Sequence, residues 1–193
     1  MPERQRADAR RNYARILAVA EEEVAAHGAG ASLEQIARVA GVGSATVRRH
    51  FPTRHALLEA VSRQRIEALS ARAHDLTAAE GDSRGALLEW LTDVVAYCVT
   101  ARGLAVALAY VGPASDSIHE NACSAALERA GEPLLSRAQH EGAVTPGVTV
   151  ADLIALAVGT VLATEHHHDP AAAANRLFHL AVEGLTPGPP PTG

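Results

Sequence analysis

The chain has 193 residues, enough for one or two small domains with a proper core. Aromatic residues make up only 3%, so the core has to be built from Ala, Leu and Val, which suits packed helices better than a sheet. The formal net charge of −5, taken as one number, argues against a nucleic-acid partner, and no segment reads as a signal peptide or an apolar run of membrane length.

The charge is unevenly spread. Residues 1–72 hold 12 arginines and 8 acidic residues, a net +4. Residues 73–193 hold 5 arginines and 14 acidic residues, a net −9. A nucleic-acid-binding head on a non-binding body has this asymmetry. Lysine is absent, and all 17 basic residues are arginine. Cys98 and Cys123 form no CxxC pair, so both are expected as reduced core residues of a cytoplasmic protein.

Residues 1–8 are polar and are expected to form a mobile arm. Arg4, Arg6, Arg10, Arg11 and Arg15 make this end basic, and Arg10 and Arg11 could reach phosphate. A first helix is predicted over about 9–27, with Tyr13, Leu17, Ala20, Val24 and His27 inward. Glu21, Glu22 and Glu23 should face solvent.

Next comes SLEQIARVAGVGSATVRRHF, residues 32–51. Ser32 and Gln35 fit a reciprocal capping box. Leu33, Ile36, Ala37 and Ala40 recur as one helical face, and Gly41 follows where a left-handed cap suits glycine. Val42 should plug the angle to a second helix, whose inner face carries Val47 and Phe51. Ser44, Thr46, Arg48, Arg49 and His50 are left to face outward, and Pro52 ends the helix. A helix-turn-helix places such a second helix in the DNA major groove. Thr46 could touch a thymine methyl or a backbone oxygen, and Arg48 and Arg49 could read guanine or clamp phosphate. The alternative is an ordinary helical hairpin with a solvated basic face.

Thr53 can cap a fourth helix of about 54–76, with Leu57, Leu58, Val61, Ala68 and Leu69 buried. A loop at 79–83 precedes a helix of about 84–101 that carries Leu87, Leu91, Val94, Val95 and Cys98 on one face. Gly103 should separate it from a shorter helix of about 104–111, and Gly112-Pro113 from the next, about 116–141, with a kink near Pro133. After a loop at 142–147, Thr149 and Asp152 form a second capping box and open a helix of about 150–166. The last helix should cover about 170–185, and the tail TPGPPPTG should be disordered.

The stretch His27-Gly28, IARVAGVGSATVRRHF and PTRHALLEAV closely resembles the DNA-binding domain of the tetracycline-repressor (TetR) family. Ala40, Gly41, Val42, Thr46, Val47, His50, Phe51 and Leu57 match its pattern or are conservative. Three positions depart: Gly43 for a capping serine, Arg48 for a tyrosine, and Arg54 for a phosphate-binding lysine. LLSRAQHEGAVTPGVTVADLIALAVG is similar to an SbtR-like C-terminal domain of the family, with Thr145 and Gly147 where arginine and aspartate are usual. The resemblance implies an all-α fold. An N-terminal three-helix helix-turn-helix domain (9–70) would precede a C-terminal ligand-binding and dimerisation domain (71–186) and a disordered tail (187–193).

It also implies a homodimeric repressor on a palindromic double-stranded DNA operator, released by a small-molecule effector. Thr46, Arg48, Arg49, His50 and Ser44 would face the groove, and Ser32 and Arg54 the phosphates. Trp90, Tyr97, Cys98, Tyr110 and His119 are candidates to line an effector pocket. With few polar anchors in the body, an apolar effector is expected. Leu153, Leu156, Ala157, Thr160, Val161 and Thr164, with small residues Ala155, Gly159 and Ala163, should pair with Leu177, Leu180, Ala181 and Leu185 at the dimer interface. No cofactor and no membrane contact are implied.

Two other readings stand beside it. One is a TetR-type activator, or a DNA-binding protein without an effector. The other is a metal-dependent enzyme built on Glu165-His166-His167-His168-Asp169. Consecutive histidines point in different directions, and HExxH and a glycine-rich phosphate loop are both missing, so no metal site and no catalytic residue is assigned.

Overall fold

The computed structural model describes residues 2–27, 30–109 and 116–183, with backbone alone for 2–7, 101–109 and 116–123. Tyr110, the Gly112-Pro113 turn, Leu185 and the tail lie outside the described residues, as do the side chains of His119 and Cys123. Eight α-helices and no strand occur among the described residues. The all-α architecture expected from the composition is the observed one. No described helix is long and apolar enough to cross a membrane.

The chain divides into two compact units, Met1–Gln64 with Thr100–Asp116 and Arg65–Val99 with Ser117–Gly193. In the first, α1 (Pro2–His27) packs against α2 (Leu33–Val39), and α2 against α3 (Ser44–His50). Helix α1 starts at Pro2, where a mobile arm was expected. Proline suits this position because a first helical residue has no use for its N–H. The core joins Ile16, Leu17, Ala20 and Val24 of α1 to Ile36, Ala37 and Ala40, then Val47 and Phe51, and Leu57, Leu58 and Val61 of α4 (Arg54–Ala78). The inward stripe of α1 thus includes Ile16, while Tyr13 and His27 are exposed. Thr53 caps α4 as expected, with Ala56 N–H donating to its Oγ1 at 3.0 Å.

The second unit is built around Trp90, which is completely buried. It lies on α5 (Ser83–Ala109), beside Leu87, Leu91, Val94 and Val95. Gly103 does not interrupt α5; glycine costs a helix about 1 kcal/mol but does not forbid it. Pro133 likewise lies inside α6 (Asp116–His140). From α4 the core takes Ile66, Leu69, Ala73 and Leu76, at the true helical period, and Ala68 is exposed. Trp90 donates its indole N–H to the Leu69 carbonyl at 3.0 Å.

Polar side chains close the helix ends of this unit. Arg137 donates to the carbonyls of Thr77 and Ala79 at 2.9 and 2.8 Å, which covers the open C-terminus of α4. Gln139 holds the following loop through the Val148 carbonyl at 2.8 Å. Thr149 and Asp152 form the complete capping box of α7 (Val150–Ala163). These hydroxyl and backbone hydrogen bonds hold the Asp152 carboxyl below its usual range. Helix α8 (Pro170–Glu183) packs on α7.

Leu153, Ala157, Thr160, Val161 and Thr164 of the expected dimer face are buried within this unit, together with Ala173, Ala174, Phe178 and Val182 of α8. They are core of one chain. The opposite side of α7 is the exposed one, with Val158 39% and Leu162 51% accessible.

Gly131 is required by Trp90. A β-carbon there would stand 2.5 Å from the indole ring and 2.9 Å from Val150. Gly131→Ala should therefore lower unfolding stability by about 1–3 kcal/mol through overpacking, less up to about 1 kcal/mol of helix propensity. Urea unfolding checks it; an unchanged midpoint would mean that the indole can move aside.

Candidate nucleic-acid interface

The turn between α2 and α3 is fixed by backbone geometry. Gly41 adopts φ +63°, the left-handed conformation that glycine takes at little cost. Val42 N–H then reaches the Ala37 carbonyl at 3.0 Å, and Gly41 N–H the Arg38 carbonyl at 3.3 Å. This pair is a Schellman closure, and Val42 packs against the core below it. Ser32 caps α2, its hydroxyl accepting from Gln35 N–H at 3.2 Å. The reciprocal half of the expected box is not made by Gln35, whose amide oxygen accepts from Arg38. Instead, Ser32 N–H donates to Glu23 Oε1 of α1 at 3.3 Å. Glu23, expected in solvent, is drawn in, with its side chain only 12% accessible.

Gly43 occupies the N-cap of α3 and offers no side-chain cap. The carbonyl of Gly43 accepts from Thr46 and Val47 at 2.8 and 3.2 Å, so the helix is closed by backbone alone. Val47 and Phe51 are 0% and 2% accessible, and they anchor α3 on the core. Ser44, Arg48 and Arg49 are exposed and Thr46 is half-buried. Arg54, the first residue of α4, is exposed, and Ser32 is half-buried.

Two side chains differ from the sequence reading. His50 was expected to face outward. It is half-buried, edge-on to Tyr13 at 5.7 Å, and its Nε2 is enclosed without a hydrogen-bond partner. Arg48 is exposed but held, its guanidinium donating to Glu34 Oε1 of α2 at 2.7 Å. Backbone hydrogen bonding, and then the Arg48 guanidinium, keep the Glu34 carboxyl below its usual range. Sequence reasoning missed this carboxylate. An acid in the first turn of a helix is ordinary, and only the folded turn brings it to an arginine fourteen residues later.

The profile of bacterial regulatory proteins of the tetR family matches residues 16–61. That of the SbtR-like C-terminal domain of transcriptional regulators matches residues 82–187, more than half of the chain. The chain belongs to the TetR family.

A TetR transcriptional regulator from Streptomyces coelicolor is similar at 31% identity, over 92% of this chain and 99% of that one, with a TM-score of 0.76. The TetR regulator from Mycobacterium vanbaalenii is 36% identical, over 95% and 99%, with a TM-score of 0.73. The FadR regulator of Bacillus subtilis, solved with stearoyl-CoA, shares the fold at 17% identity, over 89% and 98%, with a TM-score of 0.60. No curated protein matches the chain. As a TetR-family chain it is a DNA-binding transcriptional regulator and not an enzyme.

Of the candidate effector residues of this TetR-family chain, Tyr110 and the side chain of His119 lie outside the described residues. Trp90 is sealed in the core with its N–H already used. Tyr97 and Cys98 are half-buried against the same core. Burial pushes the Cys98 thiol up to about 11. The helix expected to run to about residue 166 ends at Ala163, so Glu165 to Asp169 lie beyond it. His166 pairs with Glu165 at 3.2 Å. Asp169 caps α8, accepting from Ala172 N–H at 3.0 Å. Among the described residues, no three histidine, cysteine or acidic side chains gather as a metal site.

The Glu34–Arg48 pair yields a prediction. Glu34→Gln should free the guanidinium and remove a charge that repels phosphate. Affinity for duplex DNA should rise, by less than about tenfold for so exposed a pair. The salt dependence should steepen by about one counterion. Fluorescence anisotropy at two salt concentrations measures both; equal or weaker binding would show that the pair positions Arg48 productively.

Proposed function

We propose that the chain is a dimeric, ligand-responsive repressor of the cytoplasm that binds a palindromic operator and leaves it when a small molecule occupies the body. The head would be residues 9–70, the regulatory and dimerisation body 71–186, and the tail 187–193. The observation that carries the reading is the solvent-facing row Ser44, Arg48 and Arg49 on a helix locked to its core by Val47 and Phe51. This row lies in the net-positive part of the chain. In this reading Thr46, Arg48 and Arg49 meet base edges, and Ser32 and Arg54 meet phosphate. His50, turned toward Tyr13, serves mainly to hold the end of α3.

A palindromic operator needs two such helices about 34–36 Å apart. The apolar surface suited to pairing is Ala155, Val158, Gly159 and Leu162 of α7 with Leu180 of α8, all exposed. A β-carbon on Gly159 would meet nothing within 4 Å, which leaves room for a close second helix. The small-molecule part is supported by likeness of fold: FadR of Bacillus subtilis was solved with stearoyl-CoA.

Two measurements test the reading. Arg49→Ala should weaken binding to the palindrome nearest the chain's own promoter by about 1–3 kcal/mol if the side chain reads a base. Unchanged affinity at fixed salt removes it from that role. Light scattering should give a dimer mass at micromolar concentration for the native chain and a monomer for Leu162→Glu. A native monomer sinks the paired-helix reading.

A further inference from the structure

Helices α4 and α6 leave a groove of about 380 Å³ between them, a volume within the range of small-molecule sites. Its α4 wall is Ser70, His74 and Thr77, spaced four and three residues apart and so on one face. Its α6 wall is Ala126, Arg129, Ala130 and Pro133, again at helical spacing.

The polar groups of this groove are specifically disposed. Ser70 donates its hydroxyl to the Ile66 carbonyl at 2.8 Å, and Thr77 donates to Ala73 at 2.7 Å. Each spends its proton on its own helix and keeps oxygen lone pairs for another donor. His74 and Arg129 are exposed and make no ion pair or hydrogen bond with any described residue. Neither carboxylate flanking Arg129 on α6 pairs with it: Glu128 accepts from Ser124 at 3.0 Å, and Glu132 from Ser136 at 3.3 Å. An unpaired guanidinium and an imidazole therefore line the same groove, in a body whose residues 73–193 carry a net −9. The remaining lining, Ala126, Ala130 and Pro133, is apolar.

We propose that this groove binds a small amphipathic organic anion. Its anionic head pairs with the Arg129 guanidinium, with His74 beside it. An N–H or O–H of the ligand meets the Ser70 and Thr77 oxygens, and its apolar body lies on Ala126, Ala130 and Pro133. The proposal rests on the small-molecule reading above and names the chemical class. It changes the expected effector from apolar to anionic. The groove is also placed to matter. Its α4 wall belongs to a helix whose earlier residues, Leu57, Leu58 and Val61, are core of the DNA-binding unit.

Anilinonaphthalene sulfonate, an amphipathic anion, and N-phenylnaphthylamine, a similar aromatic amine without the sulfonate, test this on the full chain without DNA. The sulfonate should bind saturably at one site per chain. Its affinity should fall about tenfold or more in Arg129→Gln, the loss expected for a charge-assisted contact. The neutral probe should bind weakly, and equally to native and variant chains. Ala126→Leu, which fills the apolar floor, should weaken the sulfonate while leaving the circular dichroism spectrum unchanged. Equal sulfonate affinity in Arg129→Gln, equal binding of both probes to the native chain, or no saturable binding overturns the proposal. Operator release is scored separately by anisotropy. A probe bound through Arg129 that leaves DNA affinity intact would count against the repressor reading and leave the groove standing.

Discussion

Helix α4 has to satisfy two hydrophobic cores with one backbone. Leu57, Leu58 and Val61 are buried in the first unit, and Ile66, Leu69, Ala73 and Leu76 in the second. Leu57 and Val61 lie four apart, and Ile66, Leu69, Ala73 and Leu76 recur at three and four, so each core takes its own helical stripe of α4. The second attachment is reinforced by a directional bond. The Leu69 carbonyl accepts the Trp90 indole N–H, and Trp90 is seated against the missing side chain of Gly131. At the far end, Arg137 covers the last carbonyls of the helix. Any displacement of α4 in the body is thus opposed by a buried aromatic and a buried hydrogen bond. The exposed polar row Ser70, His74 and Thr77 is left for other uses.

The DNA-facing end follows a different logic. Its helices are short, seven residues each, and short helices are marginal on their own. The start of α3 apart, they hold because each end is closed by a specific contact or an apolar anchor. Glu23 and Ser32 close the start of α2, the Gly41 turn closes its end, and Val47 and Phe51 hold α3 from below. The exposed side is consequently free of structural duty except at Arg48, which is shared with Glu34.

Much of this was legible in the residues themselves. Gly41, the Thr149–Asp152 box, the Thr53 cap and the Val47–Phe51 spacing are local signals with local causes, and the structure carries them as written. What could not be read depended on distance in the chain. Both faces of α7 are apolar enough to be core, and only the packing of α8 decides that Leu153 and Ala157 go inside while Val158 and Leu162 stay out. Gly103 was expected to break a helix, yet α5 runs on through it, because one glycine costs a helix only about 1 kcal/mol. Trp90 was expected to line an effector pocket, and a buried indole N–H needs a partner. That partner is a backbone carbonyl 21 residues away. The Glu34–Arg48 pair and the groove between α4 and α6 likewise belong to the tertiary arrangement alone.

The uncapped start of α3 has a consequence for amide exchange. With glycine at Gly43, the N–H groups of Ser44 and Ala45 find no acceptor in the helix or in a capping side chain. By contrast, Phe51 N–H donates to Val47 at 2.8 Å over a buried side chain. Deuterium should therefore enter this helix from its beginning, with the slow amides at its anchored end. Within seven residues, the helix grades from solvent-labile to core-protected.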